Sequence, residues 1–507
     1  MSHPNGDMLV YAMFGEPLNM LPPLATDHPS HEVTGLVYNG LIAVDKKLNL
    51  KGDLAKRWEV SSDNLKITFH LRNDVLWHDG VPFNAEDVIF TYEFIVNPNT
   101  PTAYGDDFKH IKNIYAPDNW TVVVEYNEPY APALLSWGTS ILPKHLLADT
   151  PPVRSALQRN PIGTGPFIFA GWEANKSITL HANPAYYKGQ PYISTIQFRF
   201  FQDQSAGFME LLNGSVDVMP LTPAQYMKQT DTSRFSELYN KYDYPALAYS
   251  YIGYNLRSDI LGDKRVRKAL ALATPKEQII DNVMLGLAQS VESPYLPGTL
   301  WYNSKLTKTD YAPEKALKLL NEAGWVKSAS GLLEKSGQPL KLTLTTNQNP
   351  TRARILEILQ QSWSALGIDV SIRVLEWGIF INEYVNKGNF DVIMLGWTMG
   401  IDPNQSAIWH SAPCDNSVAT LNYICFNNAR VDSLLELGLK TFNEKQRKGY
   451  YDELQTILAD EQPYTFLYAP REVLAVAKRF KGVELSPAGV TYNIDEWYVP
   501  KNEQKYR

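Results

Sequence analysis

The chain has 507 residues, 44% of them hydrophobic and 20% charged, with a formal net charge of −7. That length exceeds what one hydrophobic core organises, so two or three lobes are expected; the negative charge argues against nucleic acid as the main partner, and no apolar run reaches the length of a membrane span. The 29 tyrosines, 19 phenylalanines and 12 tryptophans suit cores and equally suit platforms for polar organic ligands.

From the amino terminus, Leu9, Tyr11 and Met13 alternate with Val10, Ala12 and Phe14, and both sets are apolar, the pattern of a strand buried on both faces. Residues 15–32, with Pro17, Pro22, Pro23 and Pro29, read as a long loop of the kind that carries function. Apolar character returns from Val33 to Leu41. Residues 46–160 read as a separate lobe. In it Ile67, Phe69 and Leu71 alternate with polar neighbours as in a half-buried strand. Asn84 caps a helix whose first turn carries Glu86 and Asp87 and whose apolar stripe is Val88, Tyr92 and Ile95. A strand follows at 122–126, and Pro143, Pro151 and Pro152 mark the exit.

Residues 160–166 (NPIGTGP) form a rigid, glycine-punctuated turn. The third glycine of a dinucleotide loop is absent, Ile168 standing there, and the turn is read as a crossover between lobes. Strands are predicted at 177–182 and 195–200, and a helix over 205–213 that stops at Gly214. From about Tyr251 a third region begins. Asp263 caps a helix carrying Val266, Leu270 and Ala273, and Pro275 starts another that ends near Gly286. Ala316, Leu319, Leu320 and Ala323 make one helical face; Leu340, Leu342 and Leu344 a strand; Ile355, Leu359, Trp363 and Leu366 a helix stopped by Gly367; Val370, Ile372 and Val374 a strand. A helix over 377–385 and a strand over 391–396 complete a β-α-β-α-β run, which predicts a parallel sheet with right-handed crossovers. A capping box, Asn443 with Gln446, opens a helix carrying Tyr450, Leu454 and Leu458. Residues 464–477 read as a return strand, and the polar tail after Val499 is not expected to be ordered far.

The third strand of that run opens a distinctive stretch, residues 391–425. Gly396 and Trp397 stand at its carboxyl end, and Met399-Gly400-Ile401-Asp402-Pro403 is a loop. Loops in that position are where α/β folds hold ligands. The stretch closes on Cys414 and Cys425, the only cysteines in the chain. They are too few and too far apart for a CxxC zinc site. Two buried thiols and a single disulfide both remain open, the polar Asp415-Asn416-Ser417 between them favouring a staple and hence an oxidising compartment. No GxxxxGK[ST], HExxH, GxSxG or EF-hand pattern occurs, and His31 and His410 stand alone, as packing or surface histidines usually do. No catalytic residue, metal ligand set or cofactor is therefore assigned. Several lobes with aromatic-rich loops and no catalytic set suggest a protein that closes over a ligand.

Five strings, in this order, carry a resemblance: residues 36–41 (LVYNGL) with 54–61 (LAKRWEVS), 71–95 (LRNDVLWHDGVPFNAEDVIFTYEFI), 160–173 (NPIGTGPFIFAGWE), 213–220 (NGSVDVMP) and 263–280 (DKRVRKALALATPKEQII). Over nearly its whole length the chain resembles the extracellular solute-binding proteins of peptide- and nickel-type ABC transporters, the dipeptide- and oligopeptide-binding class. The resemblance implies an α/β, two-lobed periplasmic-binding-protein fold of type II with an extra domain inserted in the first lobe: 1–45 lobe I, 46–160 the inserted domain, 161–250 lobe I continued, 251–479 lobe II, and 480–507 the return to lobe I. It implies a receptor rather than an enzyme, working with ABC permease subunits, without cofactor, as a monomer. In dipeptide-binding relatives a disulfide sits just beyond the Gly-Trp loop, which implies a Cys414–Cys425 bond and a periplasmic or extracellular place at the cell envelope. The start MSHPNGDM lacks the apolar stretch of a secretory signal, as in a cytosolic start or a mature chain whose signal, with or without a lipid anchor, has been removed.

A peptide offers an ammonium, a carboxylate and a main chain, which a closing cleft meets with an aspartate, an arginine and edge backbone groups. In peptide-binding relatives the ammonium-binding aspartate lies between Gly-Trp and the following Asp-Pro. Here Thr398, Met399, Gly400 and Ile401 stand there, and Asp402 fits the Asp-Pro position. Arg352 and Arg354, at the start of a helix, match roughly the place where relatives carry a ligand arginine, and a helix N-terminus favours an anion; of the two, Arg352 is taken as the ligand residue. From the first lobe, the loop holding Thr26, Asp27, His31 and Glu32 lies where relatives contact ligand, and Tyr104, Trp377 and Trp397 are candidate aromatic walls. The ligand expected is peptide-like. A metal chelate or an oligosaccharide is the alternative within the receptor role, raised by the missing aspartate; a peptide or glycan hydrolase, or a peptide sensor or holdase, are the alternatives outside it.

Overall fold

A computed structural model of the chain describes residues 4–415, 417, 420–487 and 489–506. Asn416, in the polar segment between the cysteines, lies outside the described residues.

The strand Tyr464–Ala477 ties the molecule together. Its first part pairs antiparallel with Ala248–Tyr254. Its last part pairs with Tyr239–Pro245 on one side and Val218–Pro220 on the other. Among the described residues a 12-stranded sheet results, in the order Asp369–Leu375, Lys341–Asn347, Val392–Thr398, Ala248–Tyr254, Tyr464–Ala477, Val218–Pro220, Met8–Met13, Thr195–Phe200, Ser177–Ala182 and Phe167–Glu173, with Tyr239–Pro245 and Ala288–Ser290 added on Tyr464–Ala477. The two halves of this sheet have separate cores. The first half gathers Leu9, Phe198, Leu211, Val476 and Trp497. The second is packed on one face around Leu270, Leu359 and Trp363 and on the other around Tyr251, Trp409, Tyr451 and Phe466. The chain crosses between the halves near residues 246–247 and again near 469–471.

The periodicities explain these elements. Met8–Met13 is buried from Leu9 onward because it lies between two parallel neighbours with both faces covered. Lys341–Asn347 runs parallel to Asp369–Leu375 and to Val392–Thr398, as the β-α-β-α-β run predicts; the third strand is interior, closed on its far side by antiparallel Ala248–Tyr254. Asn349 caps the helix Pro350–Leu366 by accepting from the Arg352 amide, Pro350 starts it, and Gly367 ends it in the left-handed conformation, φ 102°. The NPIGTGP turn needs its glycines for close approach: a Cβ at Gly163 would sit 1.9 Å from the carbonyl oxygen of Val37.

A second, four-stranded antiparallel sheet, Ala55–Val60, Lys66–Leu71, Thr121–Tyr126 and Ile111–Asp118, belongs to the inserted region. The helix Ala85–Val96 lies on it, with the complete capping box that Asn84 and Asp87 form. Its core draws on residues 41–141, whereas Leu142, Leu147 and Leu157 join the core of the first half.

Four expectations are corrected. The long loop ends early: His28–Val37 is a helix capped by Asp27, with proline in its first turn. Residues 377–385 make one α turn, Trp377–Ile379, that widens into a π-helix, Phe380–Val385. Only half of the Asn443 capping box forms; Asn443 accepts from the Gln446 amide, but the Gln446 side chain turns to the Tyr450 hydroxyl. The tail is held, because the amides of Lys505 and Tyr506 donate to the Asp7 carboxylate.

Candidate ligand-binding site

Between the two halves lies a cavity of about 1590 Å³. It is bounded by the carboxyl ends of Lys341–Asn347 and Val392–Thr398 on one side and by Met8–Met13 with the helix His28–Val37 on the other. Thr26, Asp27, His31, Glu32, Tyr104, Arg352, Trp377, Trp397, Thr398, Met399 and Gly400 all line it; Asp402 does not.

Arg352 is placed by its helix. Three residues after the Asn349 cap, it projects from the first turn, and its Nη1 donates to Asn347 Oδ1 at 2.9 Å. Burial pushes its guanidinium below the ordinary value, with Tyr468 and Tyr251 opposing, and among the described residues no carboxylate pairs with it. Gly396 keeps the approach open: a Cβ there would lie 3.0 Å from the carbonyl oxygen of Tyr249 and 3.7 Å from Arg352 Nη2. Arg354, by contrast, is exposed and pairs with Glu357.

The facing wall is acidic. Glu32, from the helix His28–Val37, and Glu472, from the strand Tyr464–Ala477, both line the cavity. Burial raises the Glu472 carboxyl; His28 opposes and Glu32 adds to the rise. His28 Nδ1 is 4.0 Å from Glu32 Oε2, and among the described residues no lysine or arginine pairs with either glutamate. Tyr11 and Tyr244 stand beside them, their hydroxyls pushed up by burial and by the neighbouring carboxylates. Of this group only Glu32 was singled out in the sequence; Tyr11 and Glu472 read there as strand residues, and Tyr244 was given no element. Asp27 is occupied: its carboxylate accepts from the Ser30 amide at 3.1 Å and the Ser30 hydroxyl at 2.6 Å. The Tyr104 hydroxyl donates to Ala25 O at 2.9 Å, which leaves His31 Nε2, 3.3 Å away, as the donor to that hydroxyl. Although His31 faces the cavity, surrounding protein and then His28 push its pKa down to about 4, so it stands neutral at pH 7.

Aromatic groups close the ends. Trp397 stacks on Tyr423, ring centroids 5.6 Å apart and planes at 16°, and its Nε1 donates to the Tyr464 hydroxyl at 3.3 Å. Tyr423, which the sequence reading missed, is held from behind. Arg257 donates to the carbonyl oxygens of Cys414 and Tyr423 at 2.8 and 2.9 Å, and a disulfide joins Cys414 to Cys425 with Cα atoms 5.3 Å apart. Trp377 crosses toward the other half, its ring 3.0 Å from where a Cβ on Gly15 would stand; Gly15, at φ 120°, tolerates no side chain in either respect. The Met399 amide donates to Leu247 O at 2.6 Å, which fixes the loop that replaces the expected aspartate. Asp402 lies beyond that loop in a bidentate pair with Arg447, both contacts 2.8 Å, and also accepts from the Asn404 amide. The Asp402 carboxylate is consumed by the fold. Among the described residues no cluster of three or more histidine, cysteine or acidic side chains has a metal-holding arrangement, and no helix is long and apolar enough to cross a membrane.

A family model described as bacterial extracellular solute-binding proteins, family 5 middle, matches residues 49–418. The oligopeptide-binding protein AppA of Bacillus subtilis is 31% identical over 510 residues, covering 98% of this chain and 92% of that protein. The structure of AppA from Bacillus subtilis in complex with a nonapeptide superposes with a TM-score of 0.93 at 29% identity, over 99% of this chain and 100% of that one. The structure of NikZ from Campylobacter jejuni in complex with Ni(L-His) gives 0.89 at 28% identity, over 97% and 99%. The arrangement of lobes is that of the type II periplasmic binding proteins.

Proposed function

The chain belongs to family 5 of the bacterial extracellular solute-binding proteins, and from that membership we propose that it is an extracytoplasmic receptor that captures a peptide between its lobes and delivers it to an ABC permease. The observation that carries the ligand chemistry is Arg352: a desolvated guanidinium, held by Asn347, facing the cavity without a carboxylate partner. A buried cation without a counter-ion is costly, and the carboxylate of a peptide removes that cost with charge-assisted hydrogen bonds. Glu32 and Glu472, on the other lobe, are the counterpart for the ammonium, taking over from the aspartate that the Met399-Gly400-Ile401 loop lacks. Trp377, Trp397 and Tyr423 enclose what lies between. The hinge lies where the chain crosses, near 246–247 and 469–471, so lobe I comprises residues 1–45, about 161–246 and about 472–507, with 46–160 inserted, and lobe II about 247–469, both crossings falling a little earlier in the chain than the bounds the resemblance implies.

Native mass spectrometry of the purified protein, followed by denaturation and sequencing of whatever is released, tests this reading. A mixture of short peptides is the expected result. A single sugar, or a mass carrying a metal chelate of the kind in the NikZ structure, would overturn the peptide assignment.

A further inference from the structure

Outside the cavity, the two lobes meet at a second place. The helix Ala429–Lys440 belongs to lobe II, and its Val431, Leu434 and Leu435 pack in that lobe's core. Leu439, one turn further on and 4% exposed, does not. Its side chain lies in the core of the inserted domain, where every other buried member comes from residues 41–141. The main chain follows it: the Ala131 amide donates to Leu439 O at 2.6 Å. Next to it Lys440 Nζ is 2.8 Å from Glu128 Oε2, and nearby Asn404 Nδ2 donates to Asp107 Oδ1 at 3.4 Å. Of these residues none lines the ligand cavity.

The inserted domain is continuous in chain with lobe I and is also bonded to it. Asp53 accepts from Asn39 and Tyr187 and pairs with Lys188, and His78 bonds to Gly165 O. A hinge motion about residues 246–247 and 469–471 therefore carries the inserted domain away from lobe II and must withdraw Leu439 from a core it does not share by chain connectivity. The plug is also tied to the cavity wall. Arg447 donates to Gly438 O at 2.7 Å and pairs with Asp402, and Asp402 ends the loop whose Met399 and Gly400 line the cavity. We propose that Leu439 is a latch: it seats in the inserted domain when the lobes close, so that the affinity for ligand is set partly at a contact the ligand does not touch. Apparent affinity scales with the population of the binding-competent state, and an apolar plug raises the closed population in the absence of ligand. The proposal rests on the receptor reading only for its effect on affinity; the closure itself is measurable without a ligand.

The experiment uses full-length protein unfolded and refolded to strip any bound ligand, as wild type, Leu439→Ala and Lys440→Glu. Hydrogen exchange at the Ala131 amide and the radius of gyration by X-ray scattering report closure. Calorimetry with trialanine and with a mixed-sequence nonapeptide reports affinity. L439A is expected to speed exchange at Ala131 by about tenfold, to increase the radius of gyration, and to raise Kd about tenfold. K440E, which breaks a half-exposed pair, moves each readout in the same direction by about threefold or less, and adding Glu128→Lys restores it; this charge swap decides the matter should L439A fail to fold. Unchanged Ala131 exchange and unchanged scattering in both variants would overturn the latch. Binding of neither peptide by any form sinks the receptor reading instead, with exchange and scattering still deciding the latch.

Discussion

Replacing Arg352 by alanine removes the guanidinium that faces the cavity without a carboxylate partner. A hydrogen bond to a charged group contributes about 1.5–3 kcal/mol, and truncating one member of a desolvated charge pair costs about 2–5 kcal/mol. Burial of Arg352 lowers its pKa with no carboxylate to offset it, so the ligand's carboxylate gains a strong partner, and a loss of about 3 kcal/mol, roughly 150-fold in Kd, is expected for R352A. The unliganded protein behaves oppositely: it loses a desolvated charge that nothing neutralises, and its unfolding free energy stays level or rises by about 1 kcal/mol. Calorimetry with one peptide as free acid and as C-terminal amide separates the charge from the packing. R352A is expected to bind the free acid about 150-fold more weakly than wild type and the amide only a few-fold more weakly. Arg352→Lys keeps the charge but not the planar fork that Asn347 orients, and falls between, about tenfold. Equal losses for acid and amide, or no loss at all, would refute the assignment of Arg352 to a carboxylate.

Asp402→Ala breaks a pair whose side chains are 15% and 8% exposed, and unfolding free energy is expected to fall by about 3 kcal/mol on chemical denaturation; if instead the variant is as stable as wild type and N-acetylation of the ligand cancels its binding defect, Asp402 holds the ammonium after all. Burial is the main cause of the rise of the Asp107 carboxyl to about 6; the Tyr130 hydroxyl opposes it, Asp106 and Asp402 add to it, Lys109 opposes, and Asn404 also donates to it. With the folded value above the unfolded one, stability from this group is present below pH 4 and is lost as pH rises through about 6. Asp107→Asn should therefore gain on wild type between pH 4.5 and pH 7.5 by at most about 3 kcal/mol in thermal unfolding; parallel pH profiles for the two proteins contradict this. Reducing the Cys414–Cys425 bond, which closes a loop of sequence separation 11, is expected to cost about 2–3 kcal/mol, and denatured, unreduced protein should take up no alkylating label on intact mass; two labels would show free thiols.

What the sequence made legible followed from period and punctuation. Leu342 and Leu344, Ile355 with Leu359 and Trp363, and the stop at Gly367 locate strand, helix and end because each is a local pattern with a local cause. Arg352 was readable for the same reason: an asparagine cap followed by proline fixes where the first turn begins. The acidic wall was not readable. Glu472 sits in a strand whose local pattern says nothing of its role, and its meaning depends on Tyr244 beside it and Glu32 across from it, contacts that pairing over long sequence separations creates. Tyr423 gave a faint signal, lying two residues before a cysteine. Asp27 was misleading in the other direction: Asp27-His28-Pro29-Ser30 carries a helix-start signature, yet read as ligand chemistry. Leu439 continues its helix's apolar stripe, and nothing local says that the stripe changes partners in its last turn.

The charges around the cavity sort themselves by whether the fold already uses them. Asp27 is spent on the Ser30 cap, Glu376 on the Ile379 amide, Lys188 on Asp53, and Asp402 on Arg447. Arg352 on one lobe and Glu32 with Glu472 on the other have no lysine, arginine or carboxylate partner among the described residues, and Lys51 and Asp495, which also line the cavity, are likewise without a salt bridge. Because Arg352 and the two glutamates stand on opposite lobes, the proposed ligand, carrying both signs, would satisfy both when the lobes are together. A neutral oligosaccharide seated there would leave Arg352 and the two carboxyl groups without a counter-ion. On the proposed reading, recognition of a zwitterion and closure would be one event, and the seat of Leu439 in the inserted domain would set how far that event has proceeded before the ligand arrives.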